Sequence, residues 1–219
     1  VVPRGAQGWE CPLHEPDILA SAYGLAAYLE AYRATGEDRY LQQARYWART
    51  GLPFLYMWDD PSKVGMRYAS IPVFGTTFFT HSWFGVPVQW CGLVYAYHLQ
   101  HLARYDTSFP WAKVAAGITV SGMHQQFGDE RPELKGTFPD GWYGVFTQRN
   151  APFINPEDIV LTRMMMEGYD PGPDTGIVTV GGERFHFTTG AKVESAEVEG
   201  DGAQYTLSYF PDRASYGFV

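Results

Sequence analysis

Residues 87–105 read PVQWCGLVYAYHLQHLARY, and this stretch decides the fold. No Asp, Glu, Lys or Arg occurs from Val88 to Ala103. Pro87 suits the first helical turn, because the N–H group that proline lacks would be unpaired there. A helix that is apolar on all sides belongs in the interior of a helical protein. The stretch therefore predicts a buried helix.

More helices flank this one, and charge alternates along the series. The first is uncharged over Ile18–Leu29, whereas the second carries Asp38, Arg39 and Arg45 on one side. We therefore expect the odd-numbered helices to be inner and the even-numbered helices to pack one face inward. Hydrophobic period and capping residues predict five helices, at 17–34, 38–57, 87–105, 110–127 and 156–169.

The connections sort into short turns and long loops. Residues 35–37 and 106–110 are short turns, whereas 58–86 and 128–155 are long and rich in aromatic residues. Because successive helices in a compact helical domain run antiparallel, both long loops return the chain to the end where the segment before Asp17 lies. We call this end the mouth.

Proline precedes each odd helix at a regular interval. Pro16, Pro87 and Pro156 are 71 and 69 residues apart. This layout predicts a repeat of about 70 residues, made of one helical hairpin and one long loop. It should gather one tryptophan from each of the three segments that precede the odd helices around one opening, namely Trp9, Trp83 and Trp142.

After residue 173 the hydrophobic period changes from 3.6 to 2. Apolar and polar residues alternate in short runs that are separated by Gly181-Gly182 and Asp201-Gly202. This pattern is typical of antiparallel strands joined by tight turns. We predict two domains, a helical one over 1–172 and an antiparallel β-sandwich-like one over 173–219.

Composition and charge exclude several function classes. The chain has 219 residues, 45% of them hydrophobic and 16% aromatic, which is ample for a sizeable core. A net charge of −8 and a pI near 5.2 disfavour nucleic acid as a partner. The uncharged stretch between Arg67 and Arg104 is interrupted by polar residues, so we expect it in the protein interior and expect no membrane partner.

Cofactor and compartment signals are weak. We find no Walker loop, no dinucleotide glycine fingerprint and no cysteine spacing of a metal site, so we expect no cofactor. Cys11 and Cys91 both fall near the mouth, where two thiols are favoured over a disulfide. The chain begins with Val1 rather than Met, which suggests a processed product or a fragment, and both cytoplasmic and exported locations are compatible with it.

Polar and aromatic residues in the mouth segments are the functional candidates. Sugar rings stack their C–H faces on aromatic side chains, sugar hydroxyls need polar partners, and a glycosidic oxygen needs a proton donor. The catalytic candidates are Glu15, Asp59, Asp60, His81 and Asp140. The substrate-binding candidates are Trp9, His14, Trp58, Arg67, Trp83, Gln89, Trp90, Trp142, Tyr143 and Arg149.

Several of these residues also fit structural roles. Asp59 and Asp60 precede Pro61, a common turn composition. His81 lies among Phe and Trp residues, so a core imidazole is as good an interpretation as a base. We interpret His98 and His101 as structural, because they lie well inside the third helix.

The chain resembles the six-hairpin glycosidase superfamily. The resemblance is carried by the Ala31-x-x-Ala34-Thr35-Gly36 turn, by Arg39-Tyr40-Leu41-x-x-Ala44-x-x-Trp47, and by the aromatic loops with strands behind them. It implies an (α/α) toroid over residues 9–170 and a β-sandwich from 175. A full toroid has six hairpins, so this one would be incomplete, with a homo-oligomer or a second chain completing it. The Trp-x-Arg-Gly signature of unsaturated glucuronyl hydrolases is not present.

The resemblance implies carbohydrate chemistry on an oligo- or polysaccharide at the N-terminal ends of the inner helices. Hydrolysis would pair Glu15 with Asp59, Asp60 or Asp140. A polysaccharide lyase would use His81 or Tyr143 as the base, with charge neutralised by Arg67, Gln89, Asn150 or Arg149. A helical-repeat module that binds a glycan or a peptide without chemistry is the third hypothesis.

Overall fold

A computed structural model describes residues 16–72, 87–143, 148–149, 156–170, 174–189, 191–208 and 217–218. The fold class predicted from the sequence, helical hairpins followed by antiparallel strands, is confirmed. Two short 3-10 turns, Leu52–Phe54 and Pro132–Leu134, follow α2 and α4. The helices are α1 Ile18–Thr35, α2 Asp38–Gly51, α3 Gln89–Leu102, α4 Trp111–Gln125 and α5 Glu157–Met166.

Local chemistry explains where the first hairpin begins and turns. The Asp17 carboxylate caps α1 by accepting a hydrogen bond from the Ala20 N–H at 2.7 Å. Gly36 ends α1 with a φ of 70°, a left-handed conformation that glycine adopts without steric cost. The prediction that the second helix runs to residue 57 is wrong, because Gly51 and Pro53 end it early.

The central helix α3 is the interior helix that its sequence predicts. It packs against all four other helices, and ten of its fourteen residues are buried. For α1 the expectation of burial on all sides is wrong. Its Tyr23 side chain is 53% exposed, and Ala27, one turn further on, is also exposed. Alanine and tyrosine tolerate water, so the absence of charge does not by itself imply burial.

Glycines let large side chains pack directly on the backbones of α1 and α2. A Cβ atom on Gly24 would lie 2.4 Å from the indole of Trp47, so this side chain of α2 packs directly on the backbone of α1. A Cβ atom on Gly51 would lie 2.5 Å from the ring of Tyr95. The Tyr95 hydroxyl donates a hydrogen bond to the Ala48 carbonyl near the C-terminal end of α2, where helix carbonyls lack backbone donors.

Replacing Tyr95 with phenylalanine should lower the free energy of unfolding by about 1–2 kcal/mol, because the buried Ala48 carbonyl loses its donor. Urea denaturation measures this value. Tyr23→Phe is the matched control, since Tyr23 is exposed on α1, and it should change stability by less than about 0.5 kcal/mol. Equal effects of the two substitutions would contradict a structural role for the Tyr95 hydroxyl.

The strands form hairpins after the helices. β1 Trp142–Tyr143 pairs with β2 Gln148–Arg149, within the second long loop. The predicted β region contains β3 Asp174–Val180, β4 Glu183–Thr189, β5 Lys192–Glu199, β6 Gly202–Ser208 and β7 Gly217–Phe218. The described sheet orders there are β3-β4-β7 and β5-β6, all antiparallel.

The predicted turns are nearly right. Gly181 and Gly182 both have positive φ and close the β3–β4 hairpin. The second turn is Gly200-Asp201 rather than Asp201-Gly202, because Glu199 already pairs with Gly202. The two hairpins pack at Gly176, where a Cβ atom would lie 2.6 Å from the Tyr205 ring. The boundary at residue 172 and the β-sandwich stay predictions.

Within the described residues, no helix has both the length and the apolarity needed to cross a membrane.

Candidate functional site

Backbone hydrogen bonds bring the long loops to the start of the odd helices. The Ile18 N–H donates to the Pro72 carbonyl at 3.0 Å, and the Val88 N–H donates to the Ser70 carbonyl at 2.8 Å. The Trp142 N–H donates to the Pro87 carbonyl at 2.9 Å. The first turns of α1 and α3 therefore meet parts of both long loops, as the mouth hypothesis requires.

The first turn of α5 reaches the same end. A Cβ atom on Gly122 of α4 would lie 3.5 Å from atoms of both Gln89 and Ile159. Gln89 begins α3 and Ile159 lies in the first turn of α5, so the two helices start near one another. In the described residues, the N-terminal ends of the three odd helices thus share one end of the fold.

Two candidate residues that are 50 positions apart meet at the mouth. The Trp90 indole N–H donates a hydrogen bond to Asp140 Oδ1 at 3.1 Å. Both side chains are partly exposed. No other hydrogen bond to Asp140 occurs within the described part of the chain. The contact therefore fixes a carboxylate beside an accessible aromatic ring, which is a usual arrangement for sugar binding.

Trp142 is buried, unlike the partly exposed Trp90 and Asp140. Its indole is 4% exposed and packs with Met66 and Ala69 of the first long loop. It therefore joins the two loops into one layer. The remaining members of the predicted indole group, Trp9 and Trp83, lie outside the described residues, so the gathering of three indoles stays a prediction.

Gln89 occupies a buried polar network instead of an open surface. Its side chain has 0% exposure, and its Oε1 accepts hydrogen bonds from the Ser70 N–H and from Gln125. Its Nε2 donates to the Ile118 carbonyl at 2.8 Å and to the Tyr68 carbonyl at 3.2 Å. All the groups of the amide are used internally, so Gln89 fixes the loop to α3 and α4 and does not face a ligand.

Arg149 caps the end of α4. Its Nε donates to the Gln125 carbonyl at 2.8 Å, and its Nη1 lies 3.2 Å from Glu130 Oε1. A cation that binds the last carbonyls of a helix is favoured by the helix dipole. The guanidinium is therefore engaged in structure. Tyr143 takes part in the β1–β2 pair through its backbone, and its side chain lies outside the described residues.

The acidic pair of the first long loop lies in solvent-facing turn structure. Asp60 Oδ1 accepts hydrogen bonds from the Ser62 N–H and hydroxyl at 2.9 and 2.7 Å, and these bonds lower the pKa of Asp60. Asp59 lies 3.9 Å from Arg67, and both side chains are more than half exposed. Trp58 is 50% exposed. A carboxyl with a lowered pKa suits a turn better than it suits a proton donor.

Asp158, in the first turn of α5, is a further candidate that is not among the residues predicted from the sequence. Burial raises the pKa of Asp158, and the adjacent carboxylate of Glu157 raises it further. Asp158 precedes Thr162 and Met165 by four and seven residues, so all three lie along one stripe of α5. Gln100 of α3 donates to the Thr162 carbonyl at 3.0 Å, so α5 packs against α3 at this level. The spacing of Asp158 to Thr162 and Met165 was the signal in the sequence that could have indicated its position on α5.

A second missed feature is a partly exposed stripe on α3. It begins at Trp90 and continues through Val94, Tyr97 and His98 at helical spacing. Burial and the nearby His101 lower the pKa of His98 to about 4. His101 Nδ1 lies 3.8 Å from the Asp170 carboxylate, which also pairs with Arg104 at 2.9 Å. The stripe thus leads from the mouth to a group of ionisable side chains in which Asp170 and His101 are largely buried.

The remaining predicted residues lie either in the core or outside the described ranges. Cys91 is buried in the core. No group of three or more His, Cys, Asp or Glu side chains in the described ranges could hold a metal ion. The residues that lie outside the described ranges are Trp9, Cys11, His14, Glu15, His81, Trp83 and Asn150.

One cavity lies away from the mouth. It has a volume of about 870 Å³ and lies between the C-terminal end of α3 and the strands β3 and β5. Arg104 and Glu194 are its charged lining residues, and Met165 and Val193 contribute apolar surface. A smaller cavity of about 370 Å³ lies along α4.

No protein-family model matches the sequence, and no curated protein matches it. Among solved structures, the fold is similar to the unsaturated glucuronyl hydrolase responsible for the degradation of glycosaminoglycan from Bacillus sp. GL1. The identity is 14% and the TM-score 0.45, over 71% of this chain and 40% of that chain. A UGL variant with dGlcA-Glc-Rha-Glc gives 14% identity and a TM-score of 0.47, over 72% and 41% of the two chains.

This chain therefore spans about two fifths of the length of the solved structures to which it is similar. The similarity concerns the fold and assigns no residue role.

Proposed function

We propose that this chain belongs to a carbohydrate-active enzyme, specifically a glycoside hydrolase, whose cleft opens at the mouth. The observation that carries the proposal is the hydrogen bond between the Trp90 indole and Asp140. It holds a partly exposed carboxylate beside an aromatic face, at the end of the fold where three helices begin. Loops placed by a rigid helical scaffold are where binding and catalytic groups concentrate.

Hydrolysis of a glycosidic bond requires a second carboxyl group that is protonated at working pH. Asp158 is the described residue that fits this requirement, because its pKa is raised and it lies in the first turn of α5, which packs against α3. Two carboxyl groups in different environments can divide the roles of acid and base. We assign proton donation to Asp158, and activation of water or attack on the sugar to Asp140. Glu15 stays a proposed alternative partner for Asp140.

The two roles follow from the chemistry of the bond. A protonated carboxyl on one side of the glycosidic oxygen donates a proton as the sugar–oxygen bond breaks. The ionised carboxylate then either activates a water molecule or forms a covalent bond to the sugar, and the separation of the carboxyl groups decides which. Trp90 would bind a sugar ring through its aromatic face while its N–H orients Asp140.

The test measures hydrolysis of a panel of oligosaccharides by the wild-type protein and its variants. Asp140→Asn and Asp158→Asn should each lower kcat by about 100-fold or more, the usual effect of removing a general acid or base. Asp129→Asn is the matched control, since Asp129 is 89% exposed and pairs only with Lys135 among the described residues. It should leave kcat within two-fold of wild type.

Each alternative has its own readout. An unsaturated product, detected by its ultraviolet absorbance, would overturn hydrolysis in favour of a lyase. Calorimetric binding of a glycan without any product would overturn catalysis in favour of a binding module. Wild-type activity in both Asp140→Asn and Asp158→Asn would show that other carboxyl groups do the chemistry.

A further inference from the structure

A second site lies along the outer side of α4, and it does not depend on the proposed function. It is a groove of about 370 Å³ between α4 and the segment 65–68 of the first long loop. Its volume lies near the lower end of the range of small-molecule sites, about 300–1,000 Å³. We call it the α4 groove. Its lining residues are Gly65, Arg67, Tyr68, Lys113, Ala116, Gly117, Val120, Ser121 and His124.

The loop is fixed to α4 at two points, so the groove is preformed. The Ser121 hydroxyl donates a hydrogen bond to the Gly65 carbonyl at 2.5 Å. One turn earlier on the helix, Gly117 leaves room for the ring of Tyr68, since a Cβ atom there would lie 2.3 Å from that ring. The aromatic ring therefore lies directly on the helix backbone and forms part of the groove wall.

The backbone of Tyr68 is strained. Among the described residues it is the one non-glycine residue with a positive φ, at 65°. Such a conformation costs about 1–3 kcal/mol and persists only where the surroundings impose it. Here the Tyr68 N–H donates to the Tyr56 carbonyl at 2.7 Å, and the buried Gln89 amide donates to the Tyr68 carbonyl. These two hydrogen bonds impose the strained backbone, which places the ring in the groove.

The groove is basic although the chain is acidic. The net charge of the chain is −8, yet the groove is lined by Arg67 and Lys113, with His124 at its other end, and by no carboxylate among the described residues. Arg67 lies 5.5 Å from the centre of the Tyr68 ring. Lys113 is exposed and forms no ion pair with any described residue. Asp59 approaches Arg67 only to 3.9 Å, from an exposed position.

We propose that the α4 groove binds a small organic anion that carries one flat ring. The ring would lie against Tyr68, Ala116 and Val120, where the wall is apolar. The anionic group would lie between the guanidinium of Arg67 and the ammonium of Lys113. A planar guanidinium can stack on a ring and still donate hydrogen bonds to a carboxylate or phosphate oxygen. Ring and charge are therefore both required.

Phenyl phosphate is a suitable probe, because it combines a flat ring with an anionic group. Inorganic phosphate supplies the charge alone, and phenol supplies the ring alone. Isothermal titration calorimetry should give a Kd for phenyl phosphate at least ten-fold below the Kd of either fragment. Equal affinity for inorganic phosphate would overturn the ring requirement, and equal affinity for phenol would overturn the anion requirement.

Substitutions locate the binding on this groove. The double variant Arg67→Ala with Lys113→Ala should weaken phenyl phosphate binding by at least ten-fold and leave phenol unaffected. The matched control is Arg131→Ala with Lys135→Ala, which removes two exposed cations elsewhere on the surface. Circular dichroism checks that both proteins are folded.

Wild-type affinity in the groove variant, or the same loss in the control, would overturn the proposal. Gly117→Ala gives an independent test, because its methyl group would displace the Tyr68 ring. This variant should lose phenyl phosphate binding while it keeps both cations. Unchanged binding in Gly117→Ala would show that the ring of Tyr68 takes no part.

Discussion

Replacing Asp106 with alanine should lower the free energy of unfolding by about 3 kcal/mol, because a buried anion is removed from its partners. Asp106 is 3% exposed in the turn between α3 and α4. Its Oδ2 accepts a hydrogen bond from the Trp111 indole at 2.7 Å and another from the Ser108 hydroxyl at 3.1 Å. Thermal and urea denaturation at neutral pH measure the loss.

Two further contacts contribute to this expectation. The Ser108 N–H donates to Asp106 Oδ1 at 3.1 Å. Arg45 of α2 lies 3.1 Å from the same oxygen, but without the alignment of a hydrogen bond, so its contribution is electrostatic. Burial raises the pKa of Asp106, yet these hydrogen bonds and Arg45 outweigh burial and lower it overall. The carboxylate is therefore ionised in the folded protein.

The sign of the pH dependence follows. A lowered folded pKa contributes stability that is present above the unfolded value of 3.8 and is lost as the pH falls through the folded pKa. Asp129→Ala is the control, since it removes an 89% exposed carboxylate. A loss of similar size in both variants would contradict the role of the buried turn. Asp106→Asn should lose less than Asp106→Ala, because an amide oxygen can still accept from Trp111.

The hairpins could be predicted because their signals are local. Asp17 and Gly36 mark the ends of α1 through chemistry that involves only the adjacent turn. The Gly181-Gly182 turn is predictable for the same reason, as two adjacent residues need positive φ there. The regularly spaced prolines before the odd helices, together with the long loops, then predict which helix ends share the mouth. Antiparallel packing of neighbouring helices leaves few alternatives.

The roles of individual site residues depend on contacts that are distant in sequence. Gln89 and Arg149 lie in the mouth segments, as predicted, but Gln89 bonds to carbonyls 21 and 29 residues away, and Arg149 to one 24 residues away. An amide or guanidinium in such a segment looks the same whether it faces a ligand or a carbonyl. The exposed side of α1, with Tyr23 and Ala27, could not be predicted, because alanines on all sides of a helix do not indicate which side packs against the other helices.

Lowering the pH from 7 to 4 should destabilise the wild-type protein by about 3 kcal/mol more than a His98→Gln variant. Burial and, to a smaller extent, the nearby His101 lower the pKa of His98 from 6.5 to about 4. In the unfolded chain the imidazole takes up a proton near pH 6.5, whereas in the folded protein it stays neutral until about pH 4. Protonation therefore favours the unfolded state throughout this window.

The sign is that of a base whose folded pKa is depressed. Above pH 6.5 the imidazole is neutral in both states and imposes no penalty. As the pH falls towards 4, stability is lost, and below about pH 4 the loss reaches a plateau because both states then bind the proton. Urea denaturation at half-unit intervals would show this slope in the wild-type protein, with a reduced slope in His98→Gln.

Other groups titrate nearby, and the comparison with a variant separates them. Burial also lowers the pKa of His101, against the opposing effect of Asp170. The raised pKa of Asp158 acts in the opposite direction, because the folded state then takes up the proton more readily than the unfolded chain. Contributions that are the same in both proteins cancel in the difference between wild type and His98→Gln.

His124→Gln is the matched control, because it removes an exposed histidine from α4 and should keep the wild-type slope. Parallel slopes in wild type and His98→Gln would mean that the imidazole of His98 exchanges its proton equally well in the folded and unfolded states. That result would place the His98 side chain in water and the partly exposed stripe of α3 in an open cleft. If the free energy of unfolding falls with pH in wild type and His124→Gln but not in His98→Gln, the His98 side chain packs against protein. The accessible part of the α3 stripe would then end before His98, on the side of Trp90.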